Sequence, residues 1–124
     1  MLNRLFGTLF PAAPDSDNVH VVDAAEIKRW VEAGQAVLID VREPNEYAAE
    51  HIPGATNIPL SAFDPAKVPV PEAGRKLVIH CRSGARCGMA AARMVMAGYQ
   101  GEINRMQGGL FGWKSAGGAT RSGA

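Results

Sequence analysis

The run Lys76-Leu77-Val78-Ile79-His80-Cys81-Arg82-Ser83-Gly84-Ala85-Arg86 decides how this chain folds. Its first part is a short apolar stretch cut off by charge and glycine, the pattern of a strand buried on both faces. The residues that follow, Arg86 to Ala97, are rich in Ala and Met with only Arg86 and Arg93 charged, which predicts a buried helix stopped by Gly98. A buried strand therefore passes through a tight polar loop straight into a buried helix.

Moving outward, Ala36-Val37-Leu38-Ile39-Asp40-Val41 repeats the apolar run ended by charge. Before it, Val19–Val22 is β-prone. Asp23 stands as an N-cap with Glu26 three residues on, and Ala24, Ile27 and Val31 recur at helical spacing until Gly34. Between the two strong strands the sequence predicts a short helix near Pro44–Glu50, a turn at Pro53-Gly54 and a short strand near Ala55–Ile58. The Pro-rich segment from Leu60 to Gly74 leaves room for at most one helical turn. Glu102–Met106 reads as a last strand, and Gly108-Gly109 opens a closing helix through Trp113. Strands alternating with helices predict an α/β fold: an open, mainly parallel central sheet flanked by helices on both faces. Ligands of such sheets bind beyond the carboxyl ends of the strands, which is where Cys81 stands.

Bulk properties narrow the function. A length of 124 residues fits one domain, and 47% hydrophobic residues are enough for a packed core. The net charge of +1 carries no clustered basic excess, so neither a nucleic-acid partner nor an anionic membrane surface is expected. No stretch approaches the roughly 18 apolar residues of a membrane span. Two cysteines are too few for a disulfide framework, and His20, His51 and His80 are scattered without metal-ligand spacing. The expectation is a cytoplasmic protein with free thiols, no metal and no cofactor. Residues 1–18 read as an N-terminal arm or linker, since their apolar run is short for a secretory signal. Residues 19–114 are the expected domain, and residues 115–124, rich in Gly, Ser and Ala, an expected flexible tail.

The loop carries the chemistry. Successive backbone N–H groups can converge on the Cys81 sulfur, the positive end of the following helix points the same way, and Arg82 and Arg86 add full charges. Each effect favours the nucleophilic thiolate. Gly84 permits the positive φ that a cradle-shaped loop requires. The same N–H groups and guanidiniums suit a small oxyanion such as thiosulfate, phosphate or arsenate. Cys81 is thus the candidate nucleophile, Arg82, Ser83, Gly84, Ala85 and Arg86 the candidate substrate-binding loop, and the reaction class group transfer to or from cysteine. Cys87, six residues on, reads as a small packed thiol, with a second, resolving thiol as the alternative. His80 precedes the nucleophile on a strand and should face the other way, as a packed residue. Trp30 and Trp113 read as core or cover, and Leu110 and Phe111 as candidates for the rim of the site.

Residues 19–113 resemble a rhodanese domain over their whole length. Leu38-Ile39-Asp40-Val41-Arg42-Glu43-Pro44-Asn45-Glu46-Tyr47 is similar to the family's first signature, and His51-Ile52-Pro53-Gly54-Ala55-Thr56-Asn57-Ile58-Pro59 to its second. Cys81–Arg86 is similar to its active-site loop, and Gly108-Gly109-Leu110-Phe111-Gly112-Trp113 to its closing segment. The resemblance implies a sulfurtransferase whose cysteine cycles through a persulfide. Thiosulfate or another persulfide is then the donor, and cyanide or a small or protein thiol the acceptor. It implies that Cys81 carries the sulfur, that the 82–86 N–H groups stabilise it, and that Asp40 and Arg42 are structural. His51, which opens the Ile-Pro-Gly turn, is expected to serve by hydrogen bonding. Related phosphatases and arsenate reductases place five residues between cysteine and arginine; here four separate Cys81 from Arg86, which favours sulfur transfer. A binding or sulfur-relay module acting on a protein partner is the other alternative.

Overall fold

The computed structural model describes residues 17–123. Strands β1 (Val19–Val22), β2 (Ala36–Asp40), β3 (Thr56–Asn57), β4 (Lys76–His80) and β5 (Ile103–Met106) form one sheet in the order β1-β5-β4-β2-β3. Every pairing is parallel. Helices α1 (Ala24–Glu32), α2 (Pro44–Ala49), α3 (Ala85–Met96) and α4 (Gly109–Ser115) complete the chain, with 3-10 turns at Leu60–Ala62 and Pro65–Lys67. The segment from Leu60 to Gly74 therefore holds two short turns, one more than its proline content predicts.

The period of two along a strand divides the core into two layers. Ile39, Leu77, Ile79 and Ile103 point to one face, where they meet Ala90, Ala91 and Met94 of α3. Leu38, Val78 and Met106 point to the other, against Ala24 and Ile27 of α1 and Leu110 and Trp113 of α4. Full burial of each large apolar side chain contributes about 1.5–3 kcal/mol. Cys81 continues the alternation of β4 and so falls on the α3 face, while His80 falls on the α1/α4 face.

Local signals set the helix starts. The Asp23 carboxylate accepts from Ala25 N–H at 2.6 Å, as an N-cap. The expected reciprocal bond from Glu26 is absent, because Glu26 turns outward to Arg29 and to the Trp30 indole.

The carboxy-terminal residues differ from the expected loose tail. Arg121 exchanges both backbone hydrogen bonds with His51, at 2.8 and 2.9 Å, and the Trp113 indole donates to Ala119 O at 2.8 Å. Thr120 donates to the Glu50 carboxylate, and Gly123 N–H to Ala48 O. Small residues without side-chain bulk lie flat on Trp113 and α2, so a composition that reads as disorder here serves close packing. The expected N-terminal arm, except Asp17 and Asn18, lies outside the described residues. Among the described residues no helix is long and apolar enough to cross a membrane.

Candidate active site

Cys81 lies one residue beyond β4, with its neighbour in the sheet, β2, ending alongside at Asp40 opposite His80. The loop 82–84 turns sharply into α3. Gly84 makes the turn with φ +124°, a conformation that side chains rarely adopt. Its N–H points back to the Cys81 sulfur at 3.1 Å.

The Cys81 side chain is held toward the thiolate form at a pKa of about 5, from the ordinary 9.0. The largest cause is a hydrogen bond from the Cys87 thiol. N–H groups of Cys87, Gly84 and Ser83 add to it, while burial opposes it. Cys87 itself is 1% exposed in the first turn of α3, and its pKa is pushed up, by its bond to Cys81 first and by burial second. It therefore behaves as a packed donor. Both cysteines are free thiols.

The two arginines of the loop part company. Arg82 is exposed, with its guanidinium 5.1 Å from the centre of the Phe111 ring. Arg86 crosses to α2 and forms a two-pronged ion pair with Glu46, at 2.6 and 3.0 Å. Its charge is thus largely committed, contrary to the expectation that both arginines stand free for an anion. Glu46 also accepts Glu43 N–H at 3.0 Å, so the pair ties the start of α3 to the start of α2.

Arg86 holds the Glu46 carboxyl down at about 2, from 4.5. A lowered carboxylate pKa adds stability that is complete above about pH 4.5 and is lost as pH falls toward 2. Both side chains keep part of their surface in water (30% and 25%), which screens the gain to about 1 kcal/mol. Glu46→Gln is expected to lose that amount at neutral pH and to flatten the acid limb of stability. Urea unfolding across pH reads both, and an acid limb as steep as in the parent would contradict the assignment.

Behind the loop, on the other face of the sheet, Arg42 grips Asp40 through Nε and Nη2 at 2.7–3.1 Å. Asp40 also accepts the backbone N–H of Arg42, and Arg42 Nη2 donates to Glu50 O at 2.6 Å. Asn57 donates to the carbonyls of Asp40 and Arg42. These bonds hold the carboxyl end of β2 against α2 and β3; they do not reach the Cys81 sulfur. His80 is wholly buried 3.8 Å from Asp40, and burial lowers its pKa despite the carboxylate, so it packs as the neutral ring. His51 stacks on Tyr47 at 3.9 Å, with Nδ1 2.8 Å from Tyr47 O.

The helix α4 closes the loop from outside. Leu110 N–H donates to Cys81 O at 2.9 Å and Phe111 N–H to Arg82 O at 3.3 Å. Gly109, at φ +55°, is so close that a Cβ would sit 2.4 Å from Cys81 O. Gly109→Ala is expected to cost about 2 kcal/mol or more, by clash with backbone and by strain. Thermal unfolding checks this, and a variant as stable as the parent would mean that α4 yields freely.

Residues that sequence reasoning passed over are Glu46, the partner of Arg86, and Arg105, which donates to Gly84 O at 3.0 Å. Both lie far away in sequence, and neither sits in a chemically distinctive run. An open cleft of about 310 Å³ flanks the loop, lined by Arg42, Glu46, Arg82, Leu110, Phe111 and Lys114 among others. A roomier depression of about 370 Å³ lies away from the loop, around Val70–Leu77 and Tyr99–Glu102, and is lined by no cysteine or histidine.

A strand-end cysteine in an N–H-lined loop, on a five-stranded parallel sheet, invites comparison with known proteins. The model of the rhodanese-like domain matches residues 23–116. The chain belongs to the rhodanese-like domain family. It is 32% identical to a protein named sulfurtransferase from Allochromatium vinosum, over 77% of this chain and 88% of that one. It is 35% identical to thiosulfate:glutathione sulfurtransferase of Saccharomyces cerevisiae, over 66% of this chain and 67% of that one. The crystal structure of the Alr3790 protein from Anabaena superposes with a TM-score of 0.70 at 26% identity, covering 82% of this chain and 80% of that one. Two other curated relatives are longer, and the chain spans 44% and 42% of their length.

Proposed function

We propose that this rhodanese-like chain is a sulfurtransferase that carries sulfane sulfur as a persulfide on Cys81. The observation that carries the reading is the Cys81 sulfur itself: a thiolate at neutral pH, facing the Gly84 N–H at the start of a helix. In the first half-reaction the thiolate attacks the outer sulfur of thiosulfate. The new S–S bond forms as the old one breaks, and sulfite leaves with the electron pair. In the second, a thiolate or cyanide takes the outer sulfur from the persulfide, and the Cys81 thiolate returns. No proton needs to move in either step, which suits a site whose nearest histidine is buried and faces away.

Arg82 is the residue placed to attract the anionic donor, because Arg86 is engaged by Glu46. The same pairing weighs against phosphatase or arsenate reductase chemistry, which needs a free guanidinium on a tetrahedral oxyanion. The names of two relatives, a sulfurtransferase and a thiosulfate:glutathione sulfurtransferase, support transfer to a thiol. Incubation with thiosulfate is expected to add the mass of one sulfur atom, and glutathione or cyanide to remove it. No adduct with thiosulfate or with a persulfide donor would sink the reading. Removal by a thiol protein alone would assign the chain to a relay between proteins.

A further inference from the structure

Gly84 is held from both of its ends. Its N–H faces the Cys81 sulfur at 3.1 Å, while its carbonyl accepts from Arg105 Nη2 and from the Cys87 thiol, both at 3.0 Å. Arg105 reaches the carbonyl from β5 because α3 carries Gly88 where the guanidinium passes. A Cβ there would lie 2.7 Å from Nη2. The Cys87 thiol has one proton and two acceptors within reach, the Gly84 carbonyl and the Cys81 sulfur. It can serve one at a time.

We propose that Cys87 and Arg105 are positioning residues for the nucleophile: Arg105 satisfies the Gly84 carbonyl, which releases the Cys87 S–H to the Cys81 sulfur whenever that sulfur is ionised. A carbonyl has two lone pairs, so with Arg105 on one of them the loop keeps its shape when Cys87 turns away. An ionised sulfur is the stronger acceptor, because hydrogen bonds to charged groups are roughly twice as strong as neutral ones. Once Cys81 bears a sulfane sulfur, the inner sulfur is uncharged, and the S–H returns to Gly84 O. Cys87 thereby alternates between two acceptors and never carries sulfur. This inference rests on Cys81 as the nucleophile and is independent of what is transferred.

Other charges around Cys81 cannot take the same part. On α3, Arg86 is paired with Glu46 of α2; on β2 and β4, Asp40, Arg42 and His80 lie on the opposite face of the sheet. Arg82 in the loop is exposed beside Phe111 of α4. On β5, Arg105 is the cation that touches the loop.

The ultraviolet absorbance of the thiolate, titrated against pH, tests the proposal without any sulfur donor. The acid midpoint is expected to rise by about one pH unit or more in Cys87→Ala, about tenfold less thiolate at pH values below both midpoints. Cys87→Ser, which keeps a donor, should recover most of the shift. Arg105→Leu should raise the midpoint as well, since the S–H then stays on the carbonyl. An unchanged midpoint in Cys87→Ala, or an equal shift in Cys87→Ser, overturns the proposal. Should Cys87→Ala fail to fold, the infrared S–H stretch of the wild-type protein decides. That band is expected to shift as Cys81 ionises, and a stationary band overturns the proposal. Failure of sulfur loading alone would count against the proposed function and leave this one standing.

Discussion

Cys81→Ser is expected to abolish sulfur loading while leaving the fold intact. The serine hydroxyl is smaller than the thiol and still able to accept the Gly84 N–H, so the loop keeps its anchor. What disappears is the nucleophile. A hydroxyl with no base beside it stays protonated at neutral pH, whereas the thiol here is ionised above about pH 5. In the parent, the rate of loading from thiosulfate should climb through that midpoint and level off above it, because only the thiolate attacks. Mass spectrometry after rapid mixing gives both results. A sulfur adduct on Cys81→Ser would move the chemistry to Cys87. A rate that keeps climbing to pH 9 in the parent would show that the loop does not lower the thiol's pKa. Buried side chains with so strong a preference for the ionised form mark functional sites more often than structural ones.

The second large effect is expected at Arg42→Leu. Asp40 is fully buried and Arg42 nearly so, with side-chain exposures of 0% and 4%. Removing the guanidinium leaves a carboxylate in a dry layer with only the Arg42 backbone N–H to meet it. Breaking a buried pair from one side costs about 3–5 kcal/mol. Against a typical domain stability of roughly 5–15 kcal/mol, that threatens the folded state. The bond to Glu50 O is lost too, so the end of α2 should loosen and release Glu46 from its place opposite Arg86. Thermal unfolding is expected to fall by roughly 10 °C or more. Asp40→Asn combined with Arg42→Leu should recover part of the loss, since no unpaired charge stays buried. A double variant no better than the single one would show that shape, rather than charge, makes the pair necessary.

The two variants separate what the front and the back of the sheet do. Cys81 and its loop lie on the α3 face, while Asp40, Arg42 and His80 lie on the α1/α4 face. Chemistry should fail with the first and stability with the second. The mixed case is Gly109, where α4 touches Cys81 O from outside.

Much of this was legible from residues close together in the chain. The apolar runs 36–41 and 76–80 alternate faces with a period of two, so each declares a strand buried on both sides, and parallel strands follow from the helices between them. Cys81 between strand and helix, with Gly84 three residues on, declares the loop for the same reason: every group that shapes it lies within six residues. Tertiary structure alone decided which charges remain free. Arg86 meets Glu46 forty residues away, Arg105 meets Gly84 twenty-one away, and the tail from Ser115 onward lies on Trp113 and α2. Such pairings depend on strand order and helix placement, and a side chain's own neighbours in sequence carry no record of them. That is why two arginines that look alike in the loop differ in kind, one open to an anion and one already bound to a carboxylate.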